Sequence, residues 1–494
     1  MKDTSRLYRL LVLVASVVTI AYLIGAAARE NYFAQWKVVQ RGYRDLLREK
    51  ATDDRSRELL SKFQVEMKQT SIPALGTVDR CVSCHNGIDD PRMKDVGLPH
   101  QTHPGGILDM HPVDKFGCTI CHRGQGAAMT FREAKADDVY WDYPLLPPEL
   151  TEASCATCHD IETLPKDQVR LLTEGMRLYK EKGCGSCHKL DGRGGALGPV
   201  LDNEGAKTKH QLTMVALKPP YTTWNWYSAH FRDPGKVVAG SQMPNPTVTE
   251  QEALALTAYM LAQWKRDVPE SYLAPDKIAQ KDRALHPTPL TGAQVYQQYC
   301  AGCHGSGTYT RWNKKFARFI PAIRGASFIV TATPEYLRQN IENGRPGTQM
   351  PAWNLHAGGL MPEEAAAVAD YLRGNTKQMP DLPSLSLQGD ASRGLRLYQR
   401  NCVGCHGKSG RGGIAPEIGN PVFLAAAGDG FLLKTIREGR TQTPMPAFQR
   451  PDGPVLGDQD LADLLAYLHS LGKSGKQQAA TNNGSPLRSA GGKS

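Results

Sequence analysis

The longest apolar run, Leu10 to Ala28, spans about 19 residues, close to what a helix needs to cross a bilayer. Lys2, Arg6 and Arg9 precede it, which keeps that end on the cytoplasmic side. The same run fits the apolar part of a signal peptide, with Ala26-Ala27-Ala28 as a cleavage site, and both readings stay open. Beyond it Phe33, Trp36, Val39, Tyr43 and Leu46/Leu47 recur at three- and four-residue steps, which predicts an amphipathic helix. Trp36 sits where an interfacial aromatic is expected. Toward the other end, Gln251 to Trp264, Pro362 to Arg373 and Asp458 to Leu471 are amphipathic helical patterns, each holding a tyrosine: Tyr259, Tyr371 and Tyr467. Strand-like alternation is scarce, so the expected fold is mainly α.

The cysteines carry the chemistry. All twelve fall in pairs: Cys81/Cys84, Cys118/Cys121, Cys155/Cys158, Cys184/Cys187, Cys300/Cys303 and Cys402/Cys405. A histidine follows each pair at once: His85, His122, His159, His188, His304 and His406. Repeated C-x-x-C-H is the signature of covalent c-type haem attachment, and the count predicts six haems. Two thiols at this spacing reach the two vinyl groups on one porphyrin edge, and the next residue aims its imidazole at the iron. Disulfides or zinc would not require a histidine after every pair. Such attachment takes place outside the cytoplasm in bacteria. The chain is therefore expected at the inner membrane, anchored by its N-terminus, with its haem domains in the periplasm. The formal charge of +10 is offset by two propionates per haem, and nucleic acid is not an expected partner. The basic stretch from Trp312 to Arg318 is a solvated face or a docking surface for an acidic partner.

The last three motifs sit in similar surroundings. A helical pattern precedes each: Gly175 to Tyr179, Gly292 to Tyr296 and Gly394 to Tyr398. Pro199, Pro321 and Pro416 follow the motifs, and then come Met243-Pro244, Met350-Pro351 and Met445-Pro446. This order resembles class I cytochrome c domains. The resemblance implies that Met243, Met350 and Met445 are distal iron ligands. It also implies that the three proline carbonyls accept the proximal imidazole N–H. His210, His230, His286, His356 and His469 are expected to be structural or exposed.

Residues 73–165 are different. Three motifs share too little chain for three separate cores, so the haems must form much of the core themselves. No Met-Pro pair follows these motifs, but His100, His103 and His111 cluster between the first two. They are read as distal ligands of bis-histidine haems. Cys81-Val-Ser-Cys-His-Asn-Gly, His103-Pro, His111-Pro-Val-Asp-Lys-Phe-Gly-Cys118, Gly124-Gln-Gly and Pro144-Leu-Leu-Pro resemble a multihaem module of bacterial respiratory cytochromes. Related modules often hold one more histidine around Phe131 to Asp138, and none is present. His100 or Met129 then serves the third haem, or that site is open.

The expected architecture is an anchor or signal peptide (1–29), an amphipathic helix (30–72), an irregular haem-packed trihaem module (73–165) and three tandem class I cytochrome c domains (170–265, 290–375, 392–472). Linkers fill 266–289 and 376–391, and a disordered tail follows from 473. Methionine ligation raises haem potential relative to histidine. Electrons are therefore expected to enter the trihaem module from a quinol-oxidising partner and leave through His/Met haems to a periplasmic redox acceptor. Module and anchor together resemble the cytochrome c subunits of bacterial quinol oxidoreductases (bc-type or alternative complexes). A membrane-bound b-type cytochrome or another subunit of such a complex is the implied partner. The role is that of a carrier, with no catalytic residues. A multihaem reductase with one open haem is the alternative.

Overall fold

The computed structural model describes residues 4–482, apart from 139, 451 and 454. Helices dominate, and the described strands form three two-stranded antiparallel ribbons. Two compact units divide the chain: Met1–Leu171 with Lys207–Trp226 and Arg266–Ile278, and Leu172–Ala206 with Tyr227–Lys265 and Ala279–Ser494.

In the first unit, helix α1 (Thr4–Ala28) buries none of its residues. At ~1.5 Å per residue it is long enough to cross a hydrocarbon core, and its exposed leucines and valines suit lipid better than water. The amphipathic stretch is two helices, not one: α2 (Gln35–Lys50) and α3 (Asp54–Lys62). The break has a local cause. The Asp53 carboxylate caps the second helix by accepting from the Ser56 N–H. Helix α2 buries Trp36, Gln40, Tyr43 and Leu47, so Trp36 belongs to the core and not to a membrane interface, while Phe33 is exposed. Gln40 is fully buried because both ends of its amide are bonded: it donates to the Glu66 and Ser83 carbonyls and accepts from the Glu66 N–H. A short ribbon, Thr70–Ile72 against Thr77–Asp79 with Thr70 opposite Asp79, leads into the first motif. From there to residue 165 regular structure is limited to short helical turns, as expected where cofactors take the place of a side-chain core.

The second unit repeats one helix crossing three times. Its elements are α4 (Arg170–Glu181), which begins just before it, α5 (Glu250–Ala262), α6 (Gly292–Val295), α7 (Pro334–Asn343), α8 (Pro362–Leu372), α9 (Ala391–Asn401), α10 (Pro421–Glu438) and α11 (Asp458–Asn482). The pairs α4/α5, α6/α8 and α9/α11 each cross at a glycine. A methyl group on Gly175, Gly292 or Gly394 would lie 2.0, 2.0 and 1.9 Å from the carbonyl oxygens of Ala255, Ala367 and Asp463. One turn on, tyrosine rings meet at 5.4, 5.5 and 5.2 Å: Tyr179/Tyr259, Tyr296/Tyr371 and Tyr398/Tyr467.

The second and third repeats share one apolar core running from Val295 to Leu468, so the stretch between them does not separate independent domains. That stretch packs instead, with Gly430 set against Leu382 and Pro383 and Gly389 against Ala462. The tail expected to be disordered from 473 starts as helix. Helix α11 passes through Gly472 because no proline stops it before Asn482, and residues 483–494 lie outside the described residues.

Candidate haem sites

None of the twelve cysteines is in a disulfide. Each motif closes a tight helical turn, in which the histidine N–H bonds back to the first cysteine carbonyl, for instance His85 to Cys81 at 2.8 Å and His406 to Cys402 at 3.0 Å. That turn places both sulfurs and the imidazole on one side of the backbone.

In the second unit the imidazoles are oriented by proline carbonyls. His188 Nδ1 is 2.8 Å from Pro199 O, His304 Nδ1 3.3 Å from Pro321 O, and His406 Nδ1 2.9 Å from Pro416 O. With Nδ1 as donor, Nε2 keeps its lone pair for a metal. Burial pushes the His304 imidazole down to about 4 and lowers His406, which keeps both rings in the neutral, ligating form. Gly198 leaves room for His188, since a Cβ there would lie 2.4 Å from the ring.

A cavity of about 380 Å³ is lined by His304 and Met350 together with His406 and Met445. Both motifs and both methionines thus face one continuous, largely apolar space with walls including Tyr336, Phe423 and Phe431. The loops carrying the methionines share a frame. Met243, Met350 and Met445 donate their N–H groups to the hydroxyls of Ser241, Thr348 and Thr443, two residues before them.

In the first unit histidines come in pairs. The rings of His103 and His122 have centroids 6.1 Å apart, and those of His111 and His159 6.0 Å. Two imidazoles on opposite faces of one metal, each bonded at ~2.0 Å, give about this separation. His103 Nδ1 lies 2.9 Å from Pro104 O and His111 Nδ1 3.2 Å from Ile107 O, so Nε2 is again the free nitrogen. His100 is close enough to His85 to lower its own pKa, after burial, and the Pro99 carbonyl accepts from the His85 ring. The fold therefore sets His100 beside the first motif, His103 opposite the second and His111 opposite the third. Met129 lies by Arg80 at 3.6 Å. The imidazole nearest His159 in this way comes from before the second motif and not from Phe131 to Asp138.

Three contributors escaped the sequence reading. Asp79, fully buried, accepts from the Cys118 and Thr119 N–H groups and the Thr119 hydroxyl, and so anchors the second motif. Asp276, in the stretch taken as a linker, puts Oδ1 3.3 Å from His159 Nδ1 and also accepts from the Asp160 N–H and the Thr163 hydroxyl. Gly302, inside the fifth motif, packs on Gly183 O and Ser186, and its N–H bonds the Ser186 hydroxyl at 3.2 Å. The fourth and fifth motifs are thereby docked loop to loop. Cys187 and Cys303 are in hydrogen-bonding reach of each other, as are Cys81 and Cys118.

The pattern of the cytochrome c family matches residues 172–264, and that of cytochrome c oxidase, cbb3-type, subunit III matches 287–372 and 389–468. The chain carries cytochrome c domains. Its cofactors are c-type haems, several of them, its chemistry is electron transport, and α1 is apolar and long enough to cross a membrane. Among curated proteins it is similar to the cbb3-type cytochrome c oxidase subunit FixP of Bradyrhizobium sp. (strain ORS 278), at 30% identity over 37% of this chain and 60% of that one. FixP of Bradyrhizobium diazoefficiens matches at 30% over the same shares. A CcoP subunit of Rhodobacter capsulatus matches at 27% over 43% of this chain and 72% of that one. The chain spans about 60% of the length of the two FixP relatives. The matched families do not include the residues of the first three motifs.

Proposed function

We propose that the chain binds six haems and carries electrons from a membrane quinol-oxidising complex, through bis-histidine sites, to His/Met sites and on to a periplasmic acceptor. The observation that carries this is the presence of two ligand chemistries in one chain: imidazole pairs about 6 Å apart in the first unit and methionine-bearing loops in the second. Bound haem supplies one-electron ferric/ferrous chemistry, with methionine ligation favouring the ferrous state. The residues do the rest. His85, His122, His159, His188, His304 and His406 are the proximal ligands, and the twelve cysteines tether the porphyrins. His100, His103, His111, Met243, Met350 and Met445 close the opposite faces. Sulfur-to-sulfur contact between Cys81 and Cys118, and between Cys187 and Cys303, supports short transfer distances between neighbouring sites.

The partner is proposed as a b-type cytochrome or another quinol oxidoreductase subunit. Oxidase subunits are the similar proteins, so a cbb3-like assembly is the competing partner. The alternative, a reductase, needs an open third site, and the His111 ring 6.0 Å from that of His159 favours a closed one. A redox titration with electron paramagnetic resonance on the membrane-extracted protein tests the proposal. Six low-spin haems in a lower- and a higher-potential group are expected. A high-spin site, or first reduction of the Met-ligated group by the quinol partner, overturns it.

A further inference from the structure

The cavity shared by His304/Met350 and His406/Met445 is largely apolar and holds three arginines. Arg318, Arg345 and Arg440 all line it. Among the described residues, no carboxylate forms an ion pair with Arg345 or Arg440, and Glu417 is the acidic side chain in the lining. Their hydrogen-bond partners are neutral, although Arg440 also feels the charge of Glu438. Arg345 donates to Asn340 Oδ1 and the Tyr336 hydroxyl, each at 3.3 Å, and lies over the Phe423 ring at 4.6 Å. Arg440 donates to Ser327 O at 2.6 Å, Thr331 Oγ1 at 2.8 Å and Thr435 Oγ1, and lies over Phe431 at 4.9 Å. Burial brings the Arg440 pKa down to about 10, which still leaves it charged at neutral pH. A guanidinium whose hydrogen-bond partners are all neutral still favours an anion beside it.

The two arginines occupy equivalent positions, five residues before Met350 and Met445. Arg345 N–H bonds Met350 O at 2.9 Å, and Arg440 N–H bonds Met445 O at 3.1 Å. Thr348 and Thr443 each donate N–H and hydroxyl back to the arginine carbonyl. The corresponding loop before Met243 keeps the serine contact, and there Ser241 N–H bonds Val238 O at 3.0 Å. Valine at that position shows that the loop does not need arginine in order to fold. The guanidinium appears in the two repeats that open onto a common cavity.

Each arginine also reaches across. Arg345 rises from the second repeat and covers Phe423 of the third, while Arg440 rises from the third and bonds Ser327 and Thr331 of the second. The porphyrin carries its carboxylates at the edge away from the vinyl groups that take the thiols. The thiol edge of the fifth motif is already turned toward Cys187 of the fourth. We propose that Arg345 and Arg440 are the carboxylate anchors of this cavity. They bind propionates of the porphyrins tethered at Cys300/Cys303 and Cys402/Cys405 and hold those edges together at the seam between the two repeats. This rests on c-type haem attachment at both motifs.

The test uses the full-length protein and the variants R345Q, R440Q, R345K and R440K. Mass spectrometry first counts porphyrins, and a wild-type chain lacking them at these two motifs removes the underlying reading and the proposal with it. Spectroelectrochemistry then reads the two potentials. Loss of a positive charge at a propionate disfavours the ferrous state. In each glutamine variant the ferrous-to-ferric ratio at fixed potential should fall about tenfold, a shift of ~59 mV downward. The lysine variants should restore most of it. Should a glutamine variant fail to mature, the lysine variant carries the test through the propionate bending band in resonance Raman spectra, which must differ from wild type. Fully loaded glutamine variants with wild-type potentials, or an unshifted propionate band in the lysine variants, overturn the proposal.

Discussion

Replacing Gly394 by alanine tests the helix crossing that organises the second unit. The added Cβ would lie 1.9 Å from Asp463 O, 2.6 Å from Asp463 C and 2.9 Å from Tyr467 Cβ. Ordinary contact between such atoms needs ~3.3 Å, so α9 and α11 would have to part by roughly 1.4 Å. No rotamer change relieves it, because the obstacle is main chain. The polar contacts around the crossing resist separation: Asp463 accepts from the Asp390 N–H at 2.8 Å and pairs with Arg393 at 3.2 Å. Overpacking of this kind costs about 3 kcal/mol at the upper end of its usual range. Alanine returns about 1 kcal/mol of helix propensity. The expected net loss is about 2 kcal/mol, a fall of roughly 4–8 °C in Tm for a core shared by two repeats.

The assay is thermal and guanidinium unfolding followed by circular dichroism in the haem bands, which reports on the haem surroundings and not on total helix. Gly404→Ala is the internal control. Gly404 lies in the sixth motif, yet a Cβ there would have nothing within 4 Å. It should leave stability unchanged or raise it slightly. Equal effects from the two substitutions would refute the reasoning, because both place alanine in a short helix next to the same porphyrin and differ only in what the methyl group meets.

Three further outcomes are expected. Asp276→Asn removes a carboxylate from His159 Nδ1 and weakens the imidazole as a donor, so the potential of the third site should rise by tens of mV, ~59 mV if the preference changes tenfold; an unchanged redox titration counts against it. His111→Ala should open the site at His159 and leave those at His85 and His122 low-spin; a high-spin signal assigned to the second motif would break the pairing read from the ring distances. Glu364→Ala strips a buried carboxylate that pairs with Arg193 at 2.6 Å and accepts the Leu290 and Met361 N–H groups, and it should cost about 3 kcal/mol by guanidinium unfolding, toward the lower end for a broken pair because Arg193 keeps some solvent contact. Less than about 1 kcal/mol would show that water replaces the lost acceptor.

What the sequence revealed and what it hid follow from the range of each interaction. The motif histidines, the proline carbonyls and the Met-Pro loops belong to turns and repeats of a few residues, and a local pattern is enough to find them. The second-unit helices were legible for the same reason, since Tyr259, Tyr371 and Tyr467 mark their buried faces. The distal pairing was not legible. His111 stands seven residues before Cys118 yet faces His159, because the chain between doubles back through short turns with no periodicity to read. Asp276 was hidden for a further reason: its neighbours are charged or prolines, the composition of a solvated linker, and only its contact with His159 separates it from them. Arg345 and Arg440 lay in the repeat comparison throughout, but a comparison that looks for shared residues passes over the position where the first repeat has Val238. In a chain built from copies of one unit, what the copies share maintains the fold, and a charged residue kept by two of three marks what those two do together.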